Sequence, residues 1–139
     1  MPTDSLNLFK GALLHIKSFD SHKGHDPKDK FIFVVGKKNP STVIAFLITS
    51  QKTYLQSVYA REIVRVEVGV NRHLKKESYI LCHQQELLDV AELEAGFTHG
   101  PVSNCGSLRV LLPQVRSVVE DSDSLARREI EEILAVLDS

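Results

Sequence analysis

Residues 31–48, FIFVVGKKNPSTVIAFLI, place two apolar runs, Phe31–Val35 and Val43–Ile48, on either side of a turn at Asn39-Pro-Ser. Both runs are short, continuous and rich in β-branched and aromatic side chains, which is the pattern of strands covered on both faces. The sequence around them has the same grain. Leu13–Lys17 precedes them, and Ile63–Val68 and Tyr79–Cys82 follow, each bounded by Gly, Pro, Asn or charge clusters. Arg61–Val68 mixes polar and apolar positions, as a half-exposed strand does. Several strands without an intervening long helix predict an antiparallel barrel.

Beyond about residue 84 the period changes. Leu108, Leu111, Leu112, Val115, Val118 and Val119 recur at helical spacing behind a possible cap at Ser107, although Pro113 inside that run favours a helix beginning at the proline. Ala126, Ile130, Ile133, Leu134 and Leu137 form the apolar face of a terminal helix, with Ser122, Asp123 or Ser124 available as its cap. The expected fold is mainly β with a helical C-terminal segment. Residues 1–139 read as one domain, with a barrel over about 8–84 and helices over about 86–138.

The 139-residue chain is 42% apolar and 25% charged, enough for one proper core. Cys82 and Cys105 have no metal-ligand spacing and are too few for a disulfide framework, so a reducing, cytoplasmic setting is expected. The N-terminus shows no basic region followed by an apolar run, and no stretch approaches the roughly 20 apolar residues that cross a bilayer, so neither export nor a membrane is expected. Net charge is −1, but its distribution is uneven. Residues 1–76 hold 13 Lys/Arg against 6 Asp/Glu, and residues 77–139 hold 4 against 12. The first part is a candidate phosphate-facing surface; the alternative is mutual attraction of the two halves within the fold or across a dimer.

There is no phosphate-binding glycine loop, zinc-type Cys/His pairing or nucleophile elbow. His22 and His25, three residues apart on a polar stretch running from Ser18 to Lys30, lack carboxylate support for a metal. No metal or other cofactor is therefore expected. His15, on an apolar strand, reads as a core residue and Cys82 as packing.

Ile48-Thr-Ser-Gln51 closes a buried strand that follows another, with the long basic stretch before both. Together with Gly11-Ala-Leu and with Ser78-Tyr-Ile-Leu-Cys-His-Gln84, Leu88 and Asp89, this ordered series resembles the MazF/PemK family of toxin endoribonucleases over most of residues 11–94. The resemblance implies an SH3-like barrel, usually a homodimer, that cleaves single-stranded RNA without a metal and is inhibited by a cognate antitoxin. It places the segment after the first strand over the RNA, with His22, Lys23, His25 and Lys28, and puts Thr49 and Ser50 at the scissile phosphate with Gln51 and Gln84 beside the strand. Lys30 stands where the family usually has an arginine, His83 where it has an acid, and Glu86 where it has a second arginine. A lysine keeps the charge and loses the bidentate fork.

Cleaving RNA through its own 2′-hydroxyl needs a proton acceptor, a proton donor and groups to hold the phosphate oxygens. His83 or His25 is suited to the proton transfer, with Lys30, Thr49 and Ser50 on the phosphate. Other roles stay open for these residues. Thr49–Gln51 also fits a turn that bonds its own backbone, and His83 a half-buried structural histidine. A barrel that binds nucleic acid or a protein without turnover is the alternative function.

Overall fold

The computed structural model describes residues 5–19 and 28–139, except the side chains of residues 18, 19 and 28. The run that opens the sequence reading forms a long hairpin of β2 (Lys28–Asn39) and β3 (Thr42–Thr49), with Phe33 opposite Phe46 and Phe31 opposite Ile48. Asn39 secures the turn by accepting from the backbone N–H and the hydroxyl of Ser41, both at 2.9 Å. β1 (Ala12–Phe19) lies along β2, and β7 (Val102–Ser107) lies along β1. On the far side, β5 (Ser78–Leu81) pairs with the end of β3 and β6 (Glu86–Asp89) with its beginning, while β4 (Ile63–Val66) pairs with β5.

All pairings are antiparallel, and the seven strands form one sheet ordered β4-β5-β3-β2-β1-β7, with β6 beside β3. The mixed β and α fold expected from the sequence is present. The closed barrel is not, because no ladder joins β4 to β7 among the described residues. A side chain spans part of that gap. Asn71, in the β4–β5 connection, donates to the carbonyl oxygens of Cys105 at 2.9 Å and Ser107 at 3.2 Å on β7.

Both faces of the central strands are covered, which explains their unbroken apolar sequence. Phe33, Val35, Ile44, Phe46 and Ile48 face one core, while Ile32, Val34, Val43 and Ala45 face the other. The first core is closed by α2 (Leu112–Glu120) and α3 (Arg127–Leu137) through Val115, Val119 and Ile133, and the second by α1 (Val90–His99) through Val90, Leu93 and Phe97. Pro113 sits in the first turn of α2, where its missing N–H costs nothing, and residues Arg109–Leu111 before it form a 3-10 turn. α3 starts one turn later than Ser122–Ser124. Its N-terminus is held by Glu129, whose carboxylate accepts from the Ala126 N–H at 2.8 Å.

The region 86–138 is not wholly helical, since β6 and β7 lie within it. His15 is also not a core residue: it is partly exposed, tilted on Phe31, with its Nε2 3.9 Å from an Asp29 oxygen. Cys82 is buried as expected, and burial pushes its thiol far above the ordinary range, leaving a packing group. No helix among the described residues is long and apolar enough to cross a membrane.

Candidate functional site

Three strand ends meet at one corner of the sheet. The start of β2 carries Asp29 and Lys30, the end of β3 carries Thr49 and leads to Ser50 and Gln51, and the start of β5 carries Ser78. Register brings them together, because Phe31 pairs with Ile48 and Thr49 with Tyr79. The β4–β5 connection folds over this corner with His73, Leu74, Lys75 and Lys76, and the enclosed cleft has a volume of about 390 Å³. Phe31, Ile48 and Leu74 give it an apolar floor continuous with the first core. The rim is basic, with Lys30, Lys75, Lys76 and His73 against the single carboxylate of Asp29.

Local hydrogen bonding fixes the shape of this corner. The Gln51 N–H donates to the Thr49 hydroxyl oxygen at 3.1 Å, which holds that oxygen in place and leaves its own proton to donate into the cleft. The turn reading of Thr49–Gln51 is therefore correct, and it is compatible with a role in binding. Asn71 anchors the overhanging connection. Besides its two bonds to β7, its Oδ1 accepts from the His73 N–H at 2.8 Å. Its side chain is buried, with Leu74 packed in the core three residues on. The Ser78 hydroxyl donates to the Lys76 carbonyl oxygen at 2.9 Å, so both ends of the basic segment are tied down.

Of the residues expected from the sequence, Lys30, Thr49, Ser50 and Gln51 converge in this cleft. His83 and Gln84 do not line it. They lie in the β5–β6 connection, where the His83 ring stacks on Tyr59 with centroids 4.1 Å apart and planes 11° from parallel. β5 itself separates them from the cleft: Ser78 begins the strand at the cleft and His83 follows its other end. Lys28 begins β2 but its side chain lies outside the described residues, as do His22, Lys23 and His25. His73, Lys75 and Lys76 were missed by the sequence reading. Their signal was the basic cluster Arg72-His-Leu-Lys-Lys76, which has no strand or helix period of its own and becomes a rim only because Leu74 and Asn71 bury their side chains.

Near His83 lies a second polar arrangement. Glu62, 6% exposed, accepts from the hydroxyls of Ser122 and Ser124 in the α2–α3 connection. Burial raises its carboxyl, but those hydroxyls, the Ser124 amide and the charge of His83 together bring it below the ordinary value of 4.5. Among the described residues no group of three or more His, Cys, Asp or Glu side chains is placed to hold a metal ion. No family model matches the chain, and no curated protein matches it.

Proposed function

We propose that this chain binds single-stranded RNA across the basic cleft and cleaves it as a MazF/PemK-like endoribonuclease. The carrying observation is the gathering of Lys30, Lys75 and Lys76, none ion-paired among the described residues, around the hydroxyls of Thr49 and Ser50. Clustered cations that outnumber the single carboxylate of Asp29 raise the local concentration of an anionic ligand. An extended phosphodiester also suits a basic rim over a floor of apolar side chains.

The chemistry falls to His73 rather than His83. His73 takes the proton of the 2′-hydroxyl, that oxygen attacks the adjacent phosphorus, and the bond from phosphorus to the 5′-oxygen breaks. The imidazolium returns the proton to the departing oxygen, leaving a 2′,3′-cyclic phosphate and a 5′-hydroxyl. Lys30 and the Thr49 and Ser50 hydroxyls stabilise the charge that builds on the phosphate oxygens. A cognate antitoxin that carries acidic residues would inhibit by covering the same lysines, in a homodimer of the kind the family resemblance implies.

The test is incubation of the purified protein with long single-stranded RNA in chelator. Cleavage that is lost in His73→Ala, reduced in Lys30→Ala and retained in His83→Ala is the expected result. Salt-dependent binding without turnover would replace the enzyme by the second reading, a binding module, which the presence of lysine rather than a bidentate arginine at position 30 favours. Absence of binding at low salt would overturn both.

A further inference from the structure

The aromatic side chains that follow the cleft in sequence are placed as a ligand surface. Gln51 lines the cleft, and the 3-10 turn Lys52–Gln56 begins at the next residue and contributes Tyr54. The Tyr54 and His83 ring centroids are 6.4 Å apart, and His83 in turn stacks on Tyr59. Tyr59 is 37% exposed, and Val58 beside it is 89% exposed. Both line a recess of about 440 Å³ whose other walls are Arg61, Glu62, Asp121, Asp123 and Ser124. From Ser78 in the cleft to Leu81 is about 10 Å at about 3.4 Å per strand residue, and His83 follows two residues on. That is a distance a few nucleotides of extended chain can span.

We propose that this recess is a nucleobase subsite, in which Tyr59, backed by His83, stacks an unpaired base of the strand held in the cleft. The proposal rests on the RNA-binding reading of the cleft. A flat, partly exposed ring fixed from behind by a second ring offers base-stacking surface at little cost in side-chain order, and a basic groove followed by such rings is the usual construction of single-strand binding surfaces. Arg61 supplies a cation for the phosphate attached to that base. Glu62 is occupied by Ser122 and Ser124, which leaves Asp121 and Asp123 as the acceptors at the wall. Carboxylates accept hydrogen bonds from exocyclic amino groups, which cytosine, adenine and guanine carry and uracil lacks. The recess therefore favours amino-bearing bases, whose NH2 presents two donor hydrogens to this pair of carboxylates where uracil presents only its N3–H.

The test uses four fluorescent oligomers of equal length and charge: oligo-cytidine, oligo-adenosine, oligo-uridine and an abasic backbone. The wild-type protein should bind oligo-cytidine and oligo-adenosine more tightly than oligo-uridine, and the abasic strand most weakly. Tyr59→Ala should weaken oligo-cytidine binding about tenfold and leave the abasic strand unchanged. Tyr59→Phe keeps the ring and should restore wild-type affinity, which separates loss of stacking from loss of folding. Asp121→Asn with Asp123→Asn should narrow the gap between cytidine and uridine. Equal binding of all four oligomers, or unchanged oligo-cytidine binding in Tyr59→Ala, would overturn the subsite and leave the cleft intact. An abasic strand insensitive to Lys30→Ala would instead overturn the reading of the cleft. Capture of an arginine-containing peptide that depends on Tyr59, with no dependence on base, would overturn the proposal in favour of a protein partner.

Discussion

The cations of the helical surface and those of the cleft have opposite surroundings. Every arginine of α2 and α3 is paired: Arg116 with Glu120 at 2.7 Å and Asp138 at 2.8 Å, Arg127 with Glu131 at 3.4 Å, and Arg128 with Glu132 at 3.3 Å. Lys38 reaches across from β2 to Glu132 at 3.1 Å, and Lys10 caps the end of α3 through the carbonyl oxygens of Leu137 and Ser139. Lys30, Lys75 and Lys76 have no such partner among the described residues. The helical charges are taken up within the helices, between them, and by Lys38 of β2, whereas the cleft charges stay available on a connection pinned through Asn71.

Removing the available charges should break the contrast most visibly. With Lys30, Lys75 and Lys76 all changed to alanine, RNA affinity at low salt should fall about a hundredfold. The slope of log affinity against log salt should become shallower by about 2, at about 0.7 per phosphate contact on a single strand. Fluorescence anisotropy over a salt series reads both, and an unchanged slope would mean that these lysines do not meet phosphate.

The pinning residue comes next. Asn71→Ala removes three hydrogen bonds and strands two carbonyl groups of β7, costing about 1–3 kcal/mol of stability by chemical denaturation. Because the same change frees the segment that carries His73, Lys75 and Lys76, RNA affinity should drop several-fold as well. Stability loss with full affinity would show that the rim does not need the anchor.

Acid should act on the paired region first. The hydrogen bond from Lys38 and the charge beside it hold the Glu132 carboxyl below its ordinary value, and Arg116 does the same for Asp138. A carboxylate depressed on folding contributes stability that is present above its unfolded pKa and lost as pH falls through the folded one. Thermal midpoints should therefore decline below about pH 4, and less steeply in a Glu132→Gln, Asp138→Asn double variant. The smallest effect belongs to Arg116→Ala, an exposed pair, which should lower the midpoint slightly and leave RNA affinity unchanged.

The strands at residues 31–48 were legible because burial on two faces forces an unbroken apolar run, and α3 because its apolar positions repeat every turn. α1 carried signals that the reading passed over: Asp89, which accepts from the Glu92 N–H at 3.0 Å, and Gly100, which ends the helix at φ 102°. β7, with Ser103, Asn104 and Gly106 among its six residues, has little strand propensity and exists because β1 offers it a ladder. At the site, Thr49–Gln51 and Lys30 could be named because they flank recognisable strands. His83 was misplaced for the converse reason: it follows β5 in sequence as closely as the cleft residues precede it, and one strand length separates the two ends.

The sequence by itself determined which segments are apolar on two faces and which on one, and hence a sheet with helices and a charge division between its halves. Those properties are local, since they depend on the period of side chains along a few residues. Only the tertiary structure decided that no ladder joins β4 to β7 among the described residues, that Asn71 bridges part of the gap, and that His73 rather than His83 shares a cleft with Lys30 and Thr49. Such choices depend on strand register and on a long connection held by buried groups far apart in the chain, and no local spacing encodes them.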